Sequence, residues 1–303
     1  MRIYSRENVI HALPYDRLVN ELPRRLLQDA EAPQRHVHTV SQPGEPDASL
    51  LLMPAWSASG AGGVKIVNVT PGNAGRSLPA VTASYLLFDA VTGEHKALLD
   101  GGELTARRTA AVAAVAAQRL ARADAHRLLL IGSGRIATEL AFAYRAVRDI
   151  RHISVHSPTH KNAERLAHHL RDNGFDAHVC DDLQGSVHDA DIIACATLSH
   201  EPIVKGSWLK PGQHVALIGG YLPDMREADD EVIARGTVWV DTLAALKEAG
   251  DVIALSGNDI KGTLFDLCGV DAVTGREEMI TIFKSVGDAS QDLAAAAIAV
   301  ESA

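Results

Sequence analysis

The residues best placed to do chemistry sit where an apolar run meets glycines. Leu128-Leu-Leu-Ile-Gly-Ser-Gly-Arg-Ile-Ala137 joins four aliphatics to Gly132-x-Gly134-x-x-Ala137, and a helical pattern follows from Glu139. A buried strand, a tight turn and a helix start are the expected local structure. Such a turn cradles a dinucleotide: the first glycine makes the bend, the second admits the pyrophosphate, and the small third residue lets the helix pack closely. Helix N–H groups and the helix dipole then favour the anion. Gly132 and Gly134 are therefore candidate cofactor contacts.

About twenty residues on, where an acid would hold the ribose 2′-OH of NAD, the chain reads His156-Ser157-Pro158-Thr159-His160-Lys161. Hydroxyls and a cation suit a 2′-phosphate instead. Ser157 and Thr159 join the candidates, with NADP(H) favoured and NAD(H) possible. A second chemical signal is Lys65, inside the apolar run Val64–Val69. A lone ammonium there is costly, which weighs against a surface salt bridge and for a functional role.

Elements must position these groups. The first hundred residues read as strand-rich and antiparallel. A helical stretch over 7–30 is interrupted at Pro14 and Pro23. Strands follow near Arg35–Thr39 and Ser49–Pro54; a flexible Gly60–Gly63 loop precedes Val64–Val69; and a hairpin turns at Thr92-Gly93. Leu104–Leu120 reads as an alanine-rich helix capped by Thr105 or Glu103. Strands and helices then alternate to Val238–Asp241, as in a parallel sheet covered on both faces. Ala289–Glu301 reads as a final helix packing back on another element. The fold class expected is α/β: a Rossmann-type parallel sheet domain (108–287) plus an α+β substrate and dimerisation domain (1–107 with 288–303).

Bulk properties narrow the partners. A net charge of -9 offers no broad basic face for nucleic acid. No apolar window approaches a membrane span, and the start Met1-Arg-Ile-Tyr-Ser-Arg lacks a signal-peptide core. Three widely spaced cysteines, Cys180, Cys195 and Cys268, argue against disulfides and a zinc site. No metal is expected, and the compartment expected is the cytoplasm.

An ordered set of segments resembles the ornithine cyclodeaminase/mu-crystallin family. It comprises Lys65-Ile-Val-Asn-Val-Thr-Pro71, Leu86–Asp89, Leu99-Asp-Gly101, Leu104-Thr-Ala-Arg-Arg-Thr-Ala-Ala111, Glu201-Pro202, Trp208–Gly212, Pro223-Asp-Met-Arg-Glu-Ala-Asp-Asp230, Glu248-Ala-Gly-Asp251 and Phe283-Lys-Ser-Val-Gly287. The resemblance implies a homodimer with its active site in a cleft. It also implies that Arg35, Lys65 and Arg108 bind the carboxylate of a small amino or imino acid, with Lys65 and Arg108 catalytic. A guanidinium can grip a carboxylate bidentately, while lysine acts as a point charge and proton donor. Arg107 and Arg24 are read as surface salt-bridging residues. On the cofactor side the resemblance adds Thr109, Ser133, Arg135, Ile136, Thr197, Leu198, Gly219, Gly220, Ser285 and Val286.

Two departures carry information. Ile136 stands where the family usually has glutamine, which spares backbone contacts to phosphate. Tyr221 stands directly after Gly219-Gly220, where cyclodeaminases carry a catalytic aspartate; Asp224, read as a helix-start carboxylate, is a poor substitute. The chain is accordingly closer to the mu-crystallin type. The expected activity is NAD(P)H-dependent reduction of a small carboxylated imine, a ketimine or Δ1-pyrroline-2-carboxylate. Alternatives are ornithine cyclodeaminase, which forms proline and ammonia from ornithine with bound NAD, and a non-enzymatic protein that binds NADPH and a small carboxylate. Alanine dehydrogenase is a further oxidoreductase variant.

Overall fold

The computed structural model describes residues 1–28 and 30–301. Asp29, in the expected N-terminal helical stretch, and the last two residues lie outside the described residues. The chain divides into two compact units: Met1–Arg108 with the segment from Asp288 onward, and Thr109–Gly287. Arg108 thus belongs with the first unit, where its side-chain partners are, rather than opening the second.

The first unit contains β1 (Arg2–Tyr4), α1 (Arg6–Ala12), α2 (Tyr15–Leu26), β2 (Ala30–Glu31), β3 (His36–Val40), β4 (Ala48–Ser57), β5 (Ala61–Val69), β6 (Val81–Asp89) and β7 (His95–Asp100). Its seven strands form one sheet in the order β1-β7-β6-β5-β4-β2, with β3 on β4. Every pairing is antiparallel except β1 with β7. Alternation assigns one face to the core. Met53, Ala55, Lys65, Tyr85, Leu87, Ala97 and Leu99 are all buried there, and the C-terminal helix (Ala289–Glu301) packs against β4, β5 and β6 on that side.

Several local expectations change. Pro14 does separate two helices, but Pro23 lies inside α2. Gly62 and Gly63 belong to β5 rather than a flexible loop. They are glycine for space, since a Cβ would meet the Phe88 ring at 2.3 Å and the Tyr85 hydroxyl at 2.2 Å respectively. The long helix α3 (Gly101–Leu120) is capped by neither Thr105 nor Glu103; Asp100 Oδ1 accepts from the Glu103 N–H at 2.7 Å. Arg107 is buried, not a surface residue. It donates to the Leu13 carbonyl at 2.9 Å and stacks over Tyr15.

The second unit holds β8 (Arg127–Ile131), α4 (Arg135–Arg145), β9 (His152–His156), α5 (His160–Asp172), β10 (Asp176–Val179), α6 (Leu183–Asp189), β11 (Ile192–Cys195), β12 (His214–Leu217), α7 (Asp230–Arg235), β13 (Thr237–Val240), α8 (Ala245–Glu248), β14 (Gly262–Thr263), α9 (Leu264–Cys268) and β15 (Thr281–Lys284). The sheet is wholly parallel, in the order β10-β9-β8-β11-β12-β15-β13-β14. The chain steps outward from β8 to β10, then returns to β11 on the other side of β8. By the right-handed rule for parallel crossovers, this order assigns α4 and α5 to one face and α6 to the other. The strand order reverses between β8 and β11, the place where open α/β sheets bind ligands beyond the strand ends. Among the described residues no helix is long and apolar enough to cross a membrane.

Candidate active site

In the first unit two cations converge on one buried carboxylate. Lys65 sits on the covered face of β5, opposite Met53 and Tyr85, and is 3% exposed. Its Nζ lies 2.6 Å from Asp292 Oδ2. Arg108, on α3, donates from Nε to Asp292 Oδ1 and from Nη1 to Gln291 Oε1, both at 2.8 Å. Asp292 and Gln291 are completely buried near the start of the C-terminal helix. This answers the puzzle of a lysine inside an apolar strand, because the ammonium is paired.

The pairing is uneven. Burial lowers the Lys65 ammonium to about 8; Asp292 opposes that shift, while Arg108 and then Arg35 add to it. Burial pushes the Asp292 carboxyl up, yet the charges of Arg108 and Lys65 outweigh it and hold the group below its ordinary value. Of the five guanidinium donors of Arg108, two are spent on Asp292 and Gln291. Its Nη2 makes no hydrogen bond among the described residues. Arg35, half-buried just before β3, is close enough to act on Lys65 through its charge.

The second unit holds the glycine turn. Gly132 has φ +116°, open to glycine and strained for other residues, and a Cβ would lie 2.5 Å from the Ala196 carbonyl oxygen. Its N–H donates to the His156 carbonyl at 2.9 Å, closing the turn onto β9. Gly134 is the N-cap of α4, with no side-chain cap and nothing within 4 Å of its would-be Cβ. Ala137 is fully buried against the strand. The turn thus offers uncapped helix N–H groups and open space above a glycine, which fits a pyrophosphate. Ser133 Oγ donates to Ser157 Oγ at 3.0 Å, so the two predicted hydroxyls meet. Thr159, the N-cap of α5, and Arg135 are exposed; Ile136 is half-buried in the first turn of α4, and Thr109 is half-buried on α3.

The remaining candidates lie just past the ends of β11, β12 and β15. Glu227 ties the first two together: Oε1 accepts from the Thr197 N–H (2.7 Å) and hydroxyl (2.8 Å), and Oε2 from the Gly219 N–H (2.8 Å). Gly219 must be glycine, since a Cβ would stand 2.0 Å from the Thr197 carbonyl oxygen. Asp251 accepts from the N–H groups of Glu227 and Ala228, and its other oxygen from Lys284 Nζ at 2.9 Å. Burial pushes the Glu227 carboxyl up, against the Lys284 charge and the backbone donors. Asp241 Oδ2 accepts from the Ser285 hydroxyl and the N–H groups of Val286 and Gly287. Gly220 packs beside Lys284 and Asp251, whereas Leu198 and Tyr221 are exposed. Asp224 is not at a helix start. It lies in an exposed turn beside His200 at 3.2 Å, and Asp229 is the side-chain cap of α7.

Residue types alone therefore missed Asp292, Gln291, Glu227, Asp241, Asp251 and Lys284. A usable signal existed for Lys284. Lys284 stands in the apolar strand Thr281–Lys284, as Lys65 does in its own, and each lysine demands a buried acid.

Residues 2–303 match the ornithine cyclodeaminase/mu-crystallin family, and the chain belongs to it. Mouse (Mus musculus) ketimine reductase mu-crystallin is 37% identical over 268 residues, covering 88% of this chain and 84% of that protein. The structure of Thermococcus litoralis Δ1-pyrroline-2-carboxylate reductase with NADH and L-proline superposes with TM-score 0.91 at 31% identity, over 100% of this chain and 97% of that one. An archaeal alanine dehydrogenase dimer with bound NAD superposes with TM-score 0.89 at 28% identity, over 100% and 95%.

Proposed function

We propose that this protein is an NAD(P)H-dependent reductase of small carboxylated imines, of the ketimine or Δ1-pyrroline-2-carboxylate type. The observation that carries the reading is the Lys65–Asp292–Arg108 cluster: two buried cations on one carboxylate, with guanidinium donors to spare. Relatives named for imine reduction support it.

Arg108 and Arg35 grip the substrate carboxylate, which orients the C=N carbon. Lys65, with its proton affinity brought near neutrality, delivers or relays the proton that the imine nitrogen needs. A reduced nicotinamide, when bound, supplies the hydride. Gly132–Ile136, Ser157, Thr159, Thr109, Thr197, Leu198, Gly219, Gly220, Ser285 and Val286 form its cradle in this reading. NADP(H) is preferred over NAD(H), because the end of β9 carries Ser157 and Thr159 instead of an acid, with Lys161 exposed in the first turn of α5. The cyclodeaminase alternative lacks a carboxylate after Gly220, and Asp224 is engaged with His200 at the surface.

The protein works as a homodimer in the cytoplasm. Ile3, Leu98, Leu86, Val64 and Pro54 face each other in register across β1, β7, β6, β5 and β4 on the sheet face opposite Lys65, and none is buried. An apolar row of that kind suits a second copy of the chain.

Purified protein mixed with NADPH and Δ1-pyrroline-2-carboxylate should consume nicotinamide absorbance and form proline, with a lower KM for NADPH than for NADH. Absence of turnover across a panel of cyclic ketimine acids, or release of ammonia from ornithine instead, would overturn the assignment. Light scattering at the monomer mass would remove the dimer.

A further inference from the structure

We propose that Asp292 is the positioning residue of the carboxylate site: it holds the Lys65 ammonium and the Arg108 guanidinium in one arrangement and supplies the counter-charge the buried ammonium needs. The proposal rests on the imine-reductase reading and adds a residue to it. Asp292 spends one oxygen on each cation, Oδ2 on Lys65 and Oδ1 on Arg108, and is completely buried. It stands in a helix turn rich in alanine, Ala289-Ser-Gln-Asp-Leu-Ala-Ala-Ala-Ala297, where no packing need calls for a carboxylate. Gln291, one residue earlier, takes Arg108 Nη1. The two contacts use Nε and Nη1 and leave Nη2, which has no hydrogen bond among the described residues, for a ligand.

The charges and polar groups that face Lys65 are few. They are Asp292 from the C-terminal helix, Arg108 from α3, Arg35 from the approach to β3, and Tyr85 directly opposite on β6. Tyr85 is fully buried, its hydroxyl has no hydrogen-bond partner among the described residues, and burial followed by the Asp292 charge keeps it a neutral phenol. Asp292 is thus the single anion in this set. Without it Lys65 would face two cations and a phenol, and would shed its proton at lower pH. Asp292 acts on substrate only through Lys65 and Arg108, which is why it positions and does not itself react.

The test compares wild type, Asp292→Asn and Asp292→Glu for kcat and KM with Δ1-pyrroline-2-carboxylate across the alkaline range, with NADPH affinity read by fluorescence. Asp292→Asn is expected to move the alkaline limb of kcat/KM to lower pH by about one unit or more, the size of effect an adjacent opposite charge exerts. It should raise the substrate KM at least tenfold and leave NADPH affinity within twofold. Asp292→Glu keeps the charge but displaces it, so the limb should stay while kcat falls. A folded Asp292→Asn with the wild-type limb and KM overturns the proposal. If circular dichroism shows that variant unfolded, Asp292→Glu decides, and wild-type kcat and KM in it overturn the proposal. If wild type turns over no imine, the reductase reading falls. The proposal is then read on binding of pyrrole-2-carboxylate to wild type and Asp292→Asn, where an unchanged pH midpoint, or no binding to wild type, overturns it.

Discussion

Replacing Arg108 by alanine separates the carboxylate site from the dinucleotide site. The side chain spends Nε on Asp292 and Nη1 on Gln291, so in the proposed role its remaining donors serve the ligand. A charge-assisted hydrogen bond contributes about 1.5–3 kcal/mol, and a bidentate grip makes two of them. Losing both removes on the order of 3–6 kcal/mol of binding, a rise in substrate KM of roughly a hundredfold to ten-thousandfold. Stability suffers less, because Lys65 remains to balance Asp292. We expect a loss of about 1–3 kcal/mol, below the cost of leaving a buried carboxylate with no partner. NADPH affinity, measured by fluorescence titration, should stay within twofold of wild type, since the glycine turn and the strand-end clamps belong to other elements. Arg108→Lys should fall between the two, keeping the charge but not the planar fork. A variant that loses NADPH and substrate affinity equally would refute the assigned role.

Two further outcomes follow from buried geometry. Gly132→Ala places a Cβ 2.5 Å from the Ala196 carbonyl at φ +116°, a strain of about 1–3 kcal/mol before any clash; NADPH binding should weaken at least tenfold while the first unit keeps its fold, and unaltered binding would show that this turn is not the cradle. His214 is buried with Nδ1 3.0 Å from Thr281 Oγ1, which itself donates to the Leu120 carbonyl, so Nδ1 carries the proton and Nε2 is bare. Burial, then the Arg148 charge, lowers the ring to about 3. The neutral ring therefore contributes stability that is fully present above the unfolded value near 6.5 and fades as pH falls toward 3. At about 1.4 kcal/mol per pH unit the loss approaches roughly 5 kcal/mol. Urea midpoints of wild type and His214→Gln should converge as pH is lowered through that window, and parallel curves would contradict the account.

What the sequence made legible depended on the range of the interaction involved. The glycine turn is local: Gly132, Gly134 and Ala137 lie within six residues, and their spacing alone specifies strand, bend and helix. The alternation of apolar strands and helices gave the parallel sheet for the same reason. Lys65 was half legible, since its apolar neighbours set it apart from a surface salt bridge but gave no sign of the carboxylate that balances it. Asp292 is more than two hundred residues away and reaches Lys65 only because the C-terminal helix returns to cover β5. Glu227, Asp251 and Lys284 follow the same pattern: each sits in a segment that carries the family resemblance, yet their meaning is a relay of hydrogen bonds across β11, β12 and β15 that no local spacing encodes. The errors were local as well. Gly62 and Gly63 read as a loop by composition, because glycine is permissive; what fixes them in β5 is the bulk of Phe88 and Tyr85 on the next strand. A buried lysine in an apolar strand is thus the most informative residue type in this chain. The requirement for a counter-charge applies equally at Lys65 and Lys284, and the returning chain meets it with Asp292 and Asp251, on which the candidate site in each unit is hung.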